Sequence, residues 1–484
     1  MRPRAVESTA ADELRDEKTS EARGADTVPP AAVREAAERD LASKDDAASW
    51  LVPLSAALII CASAITVLWH LQDASLKNAN TGSRYATVEA LVDYGTYIID
   101  QTRYVRGTVD KVKIGDHFYS SKPPLLPTYA AGVYWVYKSI TGHTIADYEG
   151  EVVWLGSLTS GWLGHLVLLI YMYRLGKLLF RRQLAIIATV TAAGFTYLGA
   201  AYATTLNNHS VSAAFAIVGF YHTLRALREE GRTRDWVIAG ASLGFLPGID
   251  LPSSAISAAF GLCLLRKDWR KTFLYFVSAA IPGVAIHLAL TYIATGSFVP
   301  IYERRELYDY PGSYWLREAG IDALREGKPL YTFNLLLGHH GLFSMTPIFV
   351  FSLLGLWRWL RQAGSERWAA IAVSAVSLLV FLFYVFRSHN YGGWCVGIRW
   401  LVPQMGLLIF FFGVWLDRAR LSRLKLGLVA LAFAIGAYNV QDGLSGPFQF
   451  SRWHNWLENA PNRSRTDDLI NLGRAGEPAK KLRR

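Results

Sequence analysis

The feature that most restricts this 484-residue chain is a series of apolar runs, several approaching twenty residues. In a bilayer such a run is stable as a helix, because a helix satisfies its own backbone hydrogen bonds. The candidates are 50–71, 152–173, 184–202, 209–227, 236–247, 251–265, 273–294, 345–360, 368–386, 396–416 and 424–438. The pattern predicts an all-α polytopic membrane protein with about eleven transmembrane helices and with juxtamembrane helices in a large first external loop. The two short runs around Gly248-Ile249-Asp250 read as a pair joined by a turn. Asp250 fits either an exposed external turn, the simpler account, or the break in a transporter's discontinuous helix.

Apolar residues make up 52% of the chain, too many for an ordinary soluble enzyme of this length. The net charge of +11 does not indicate nucleic acid, because the basic residues sit in short clusters between apolar runs. Those clusters instead set orientation. They centre on Arg174 and Arg181, Arg225 and Arg234, Arg266 and Lys271, Arg358 and Arg367, and Arg418 and Lys425. All five share one side if 123–140 is a helix in the interface rather than a full span, and Tyr129, Tyr134, Trp135 and Tyr137 suit that depth. The expectation is an inner (plasma) membrane protein with a cytoplasmic N-terminus. Residues 1–49 read as a disordered cytoplasmic tail, too long and too acidic for a signal peptide. A transmembrane domain at 50–440 then carries external loops at 72–151 and 296–340, and 441–484 forms an external polar tail. Cys61, Cys263 and Cys395 have unrelated spacing and indicate neither a metal site nor a disulfide framework.

The first external loop predicts three local structures. Tyr85, Val88, Leu91 and Val92 recur at helical spacing, so 84–94 reads as a surface helix stopped by Gly95. Val109, Val112, Ile114 and Phe118 flank Gly115-Asp116, which suits a hairpin. Ser120-Ser121-Lys122-Pro123-Pro124 reads as a serine-capped helix start beside a lysine, a setting that attracts phosphate.

Lys122-Pro123-Pro124-Leu125 in this loop resembles the segment that the C-type glycosyltransferase superfamily carries there. That superfamily includes protein O-mannosyltransferases and lipid A aminoarabinose transferases. Asn207-Asn208-His209, Gly341-Leu342-Phe343-Ser344-Met345-Thr346-Pro347 and the Tyr391 to Pro403 stretch around Arg399 are similar to it in order and side. The resemblance spans roughly 50–438. It implies transfer of a sugar from a polyprenyl-phosphate-linked donor to an external lipid, glycan or protein acceptor, with the active site on the external or periplasmic face. One departure stands out. Where the superfamily usually places an acidic residue after the first span, this chain reads Thr81-Gly82-Ser83-Arg84-Tyr85.

Lys122, Arg399 and Arg84 are the candidates for the donor phosphate, weighed against snorkelling and structural ion pairing. Transfer also needs a carboxylate base. Asp110 is the first choice and Asp73 the second; Glu89 also stands on the helix, where a solvated face is the plainer reading. Asn208 and His209 are candidate substrate contacts, against a capping Asn and a packed His. Tyr302, Tyr310 and Trp394 are candidate sugar platforms, against an interfacial aromatic belt. His339-His340 lacks a third ligand at recognisable spacing, so no metal is assigned, no cofactor is required by the sequence, and a divalent ion is left open. The rival functions are a transporter or flippase of lipid-linked saccharides and a non-catalytic scaffold. The expected partners are the donor and the bilayer, with no nucleic acid.

Overall fold

The computed structural model describes residues 50–71, 78–228 and 231–458. The expectations for the N-terminal tail, for most of the C-terminal tail and for Asp73 fall outside them. The chain divides into two units after Leu54, and the loops and the bundle of helices belong to the second, from Ser55 onward. The order is α1 (Leu51–Trp69), α2 (Ala79–Asp93), strands β1 (Lys111–Ile114) and β2 (His117–Ser120), then α3 (Leu125–Thr141). Next come α4 (Glu149–Leu179), α5 (Gln183–Phe195), α6 (Asn208–Leu227), α7 (Thr233–Gly244), α8 (Ser254–Lys267) and α9 (Trp269–Thr295). A loop of short turns leads to α10 (Lys328–Leu336), α11 (Ile348–Leu360), α12 (Ser365–Arg387), α13 (Arg399–Arg418), α14 (Arg423–Leu444) and α15 (Arg452–Glu458).

Among the described residues seven helices are long and apolar enough to cross a membrane: α1, α4, α6, α9, α12, α13 and α14. The chain is an integral membrane protein. The other four expected spans appear as α5, α7, α8 and α11, of 13, 12, 14 and 13 residues. At about 1.5 Å per residue these fall short of a hydrocarbon core of roughly 30 Å. Pro247 and Pro252 lie in the break between α7 and α8, and Pro347 caps α11, so proline limits these three helices where composition alone suggested continuity.

The short α7 packs on α9 through Gly240 and Gly244. A Cβ on Gly240 would come within 2.1 Å of the Phe276 carbonyl oxygen, and one on Gly244 within 2.5 Å of that of Ala280. This is the small-xxx-small contact by which membrane helices approach backbone to backbone.

The first loop forms its expected hairpin. β1 and β2 pair antiparallel from Lys111↔Ser120 to Ile114↔His117, with Gly115 at φ +61 in the turn. The helix α2 departs from expectation. It starts at Ala79, capped by Asn78 Oδ1 accepting from the Thr81 amide at 2.8 Å, and residues 80–90 are buried. It is therefore no surface helix. Tyr85 and Val88 pack against Ala130, Ala131 and Tyr134 of α3, while Ser83 and Arg84 are matched to polar partners. Gly95, at φ +68, follows its end as expected.

No serine caps α3. Pro124 holds the N-cap position without a side-chain bond, and Ser120 Oγ accepts from the Lys122 amide at 3.2 Å instead. One face of α3 lies on α2, and Trp135, Val136 and Ile140 stand exposed on the rest of its surface.

The second loop clamps the hairpin. Val112 clusters with Ile301 and Leu307, Trp315 Nε1 donates to the Val109 carbonyl at 3.0 Å, and Tyr310 meets Phe118 edge to face.

Candidate active site

The hairpin base and the turn into α3 bring two charged groups together. Asp110 precedes β1 and Lys122 follows β2. Their side chains pair at 2.7 Å, mostly buried. Ser83 of α2 fixes this corner by donating to the Asp110 carbonyl at 2.5 Å and by contacting Ser120 Oγ at 2.6 Å. Lys111 turns away to the Val105 carbonyl and the Phe118 ring, as alternation along a strand requires. Burial pulls the Lys122 pKa down to about 8, with Arg84 and Arg399 adding to the fall and Asp110 opposing it.

Arg84 is fully buried one turn further along α2 than Asn80. It donates to the Asn80 carbonyl at 3.1 Å, to the Asn80 side-chain oxygen, and to Asn208 Oδ1 at 2.6 Å. Both side-chain partners are neutral amides, so neither cancels the charge. Burial and nearby Arg399 lower the Arg84 pKa to about 10, and Asp110 and Asp250 oppose them. Asn208 is free for this work because Asn207 caps α6, accepting from the His209 amide at 2.8 Å. Its Nδ2 donates to Asp250 Oδ1 at 3.3 Å.

Asp250 is buried, and exposure at an external turn is therefore corrected. Ser253 donates to Oδ2 at 2.6 Å, and His209 Nδ1 lies 3.8 Å away. These neighbours hold the carboxylate between α7 and α8. Tyr302, from the second loop, is drawn into this neighbourhood, where burial first and Asp250 second raise its phenol pKa.

Arg399 opens α13. Its guanidinium sits 5.5 Å from the Phe448 ring, and its buried Nε has no hydrogen-bond partner. It forms no ion pair among the described residues. A cation with unspent donors beside Lys122 and Arg84 makes a place for an anion. The arrangement is three cations around two carboxylates, Asp110 and Asp250.

Residues 132–293 match the family described as Dolichyl-phosphate-mannose-protein mannosyltransferase. The fold is similar to that of ArnT from Cupriavidus metallidurans in the apo state, with a TM-score of 0.50 and 15% identity over 89% of this chain and 78% of that one. With the same enzyme bound to undecaprenyl phosphate the TM-score is 0.52, at 14% identity and the same coverage of both chains. The fold is thus similar to that of a C-type glycosyltransferase. No curated protein matches the chain in sequence.

Against the usual pattern of C-type glycosyltransferases, the missing acidic residue now has a local description. Asn80 and Thr81 stand at the start of α2, and the Asn80 amide binds Arg84 where a carboxylate would have neutralised it. Other expected residues are placed elsewhere. Glu89 is buried on α2, accepts from the Arg103 amide at 3.1 Å and has its pKa raised by burial; its charged neighbours are Arg103, Asp93 and Glu149, not the three cations. Tyr310 is spent on the hairpin, and Trp394 stacks on Phe450 at 5.3 Å. Asp250 is the residue that sequence reasoning undervalued. Its signal was a carboxylate between two apolar segments too short to span. His339 and His340 do have a third histidine beside them, His454, far along the chain.

Proposed function

We propose that the chain transfers a sugar from a polyprenyl-phosphate-linked donor to a hydroxyl or amine of an external acceptor. The observation that carries this reading is the convergence of Lys122, Arg84 and Arg399, the last with an unpartnered buried nitrogen, beside Asp110. The family match and the likeness to a fold seen with undecaprenyl phosphate support it.

In this reading Arg399 and Lys122 hold the phosphate oxygens. The acceptor oxygen or nitrogen attacks the anomeric carbon and loses its proton to Asp110. The bond from that carbon to the phosphate oxygen breaks, and polyprenyl phosphate leaves with the extra negative charge. Cations already in place stabilise that charge without reorganising. Lys122 is shared, so its turn toward the phosphate would release the Asp110 oxygen that accepts the proton. Asp250 orients Asn208, and through it Arg84. The facing of these loops to the external side, with a cytoplasmic N-terminus, belongs to the same proposal and rests on the one-sided basic clusters.

The test is transfer of labelled sugar from a polyprenyl-phosphate donor by purified protein in nanodiscs. Asp110→Asn should keep donor binding and lower turnover by about 10²–10⁴. Full turnover in that variant, with Asp250→Asn inactive, would move the base to Asp250. Donor movement across the bilayer without transfer would favour a flippase.

A further inference from the structure

Outside the transfer site, three histidines gather where the C-terminal helix meets the turn before α11. His339 and His340 follow α10, and His454 lies on α15. One nitrogen from each falls within 4.8 Å of the others, and all three residues are buried. His339 and His340 face each other Nδ1 to Nδ1 at 2.5 Å. The Nε2 of His340 and the Nδ1 of His454 are buried without a hydrogen-bond partner. An imidazole nitrogen in that state loses its hydration and gains nothing, which is a cost unless something else binds it.

The rings are held in position by aromatic neighbours. His340 stacks on Tyr391 at 4.7 Å and 20°, and Phe450 lies flat on His454 at 4.0 Å and 2°. The backbone brings them together independently: Trp453 Nε1 donates to the Gly338 carbonyl at 3.0 Å, and the Arg452 amide donates to Asp442 at 2.6 Å. Two of the three rings thus keep a buried nitrogen with no hydrogen-bond partner, as a metal ligand would.

We propose that His339, His340 and His454 form a binding site for a transition-metal cation of the zinc class, which clasps α15 to the turn before α11. Neutral imidazole is a preferred ligand of such ions, and three histidines leave one position for water. Zinc–nitrogen bonds of about 2.0–2.1 Å set ligand nitrogens of a tetrahedral site roughly 3.4 Å apart. The nitrogens lie within 4.8 Å of one another, so binding would require the rings to shift from their present spacing. Two carboxylates linked to this region are engaged elsewhere, Glu326 by Tyr391 and Asn334 and Asp442 by Arg452.

The test uses full-length protein with a histidine-free tag in nanodiscs, incubated with zinc sulfate, desalted and analysed for metal by mass spectrometry. The expected result is about one zinc per chain. It should fall to near zero in His340→Ala and His454→Ala and be restored in His454→Cys, because a thiolate can replace imidazole. Zinc should also raise the unfolding temperature of the parent protein and not of the alanine variants. Parent protein that retains no zinc overturns the proposal even if every variant misfolds. Full zinc content in the two alanine variants overturns it as well.

Discussion

Raising the pH from 7 to 9 should weaken donor binding about tenfold, and Lys122→Arg should abolish that dependence. The magnitude follows from the lysine's setting. With a pKa of about 8 its ammonium is about 90% charged at pH 7 and about 10% charged at pH 9. The phosphodiester keeps one charge throughout, so the lost affinity tracks the lysine and is on the order of 1 kcal/mol. Unfolding by this group would not mimic the effect. Its folded pKa lies below the model-peptide value of 10.5, so between about 8 and 10.5 the unfolded chain binds more protons, and this lysine's contribution to stability rises with pH. Arginine remains charged at pH 9. The assay is equilibrium binding of a fluorescent polyprenyl-phosphate sugar to nanodisc-held protein at pH 7, 8 and 9. A flat profile in the parent protein, or an equal fall in Lys122→Arg, would refute the reasoning.

Arg399→Gln should weaken the same binding by about 1.5–3 kcal/mol, the range for hydrogen bonds to charged groups, with a parent-like melting curve; unchanged affinity would take Arg399 out of the site. Gly240→Val should lower stability by about 1–3 kcal/mol or prevent folding, because its side chain meets the Phe276 carbonyl; a normal yield and melting temperature would contradict that contact. Cysteines placed in 305–320 should react with an impermeant reagent from outside intact cells, and a cysteine at Arg232 should not; the opposite pattern would invert the proposed orientation.

How much of this was legible in the sequence depended on the range of the interaction. The long spans declare themselves because a run such as that of α12 has no other low-energy placement. The hairpin was legible because Gly115-Asp116 and its flanking apolar residues are local. The short helices were not separable from spans, since hydropathy measures composition and not depth. The burial of α2 was hidden for another reason. Ser83, Arg84 and Asn80 look like surface residues until Asn208, Ser120 and Asp110 are beside them. Asp250 was undervalued the same way, and the placement of His454 beside His339 and His340 had no local signal, for their partners come from remote segments of the chain.

The glycine seam between α7 and α9 has a consequence for reading genetic variation. Asp250 hangs just past the end of α7, and Asn208 and Arg84 depend on it in turn. A bulkier residue at Gly244 would push α7 off α9 within the apolar layer and tilt the segment that carries Asp250. Such a change alters no charge and touches no substrate, yet a screen for lost transfer would recover it beside changes at Arg399. The two would part only when donor affinity is measured per folded molecule. Under the proposed function, glycines of this seam would act as remote determinants of transfer.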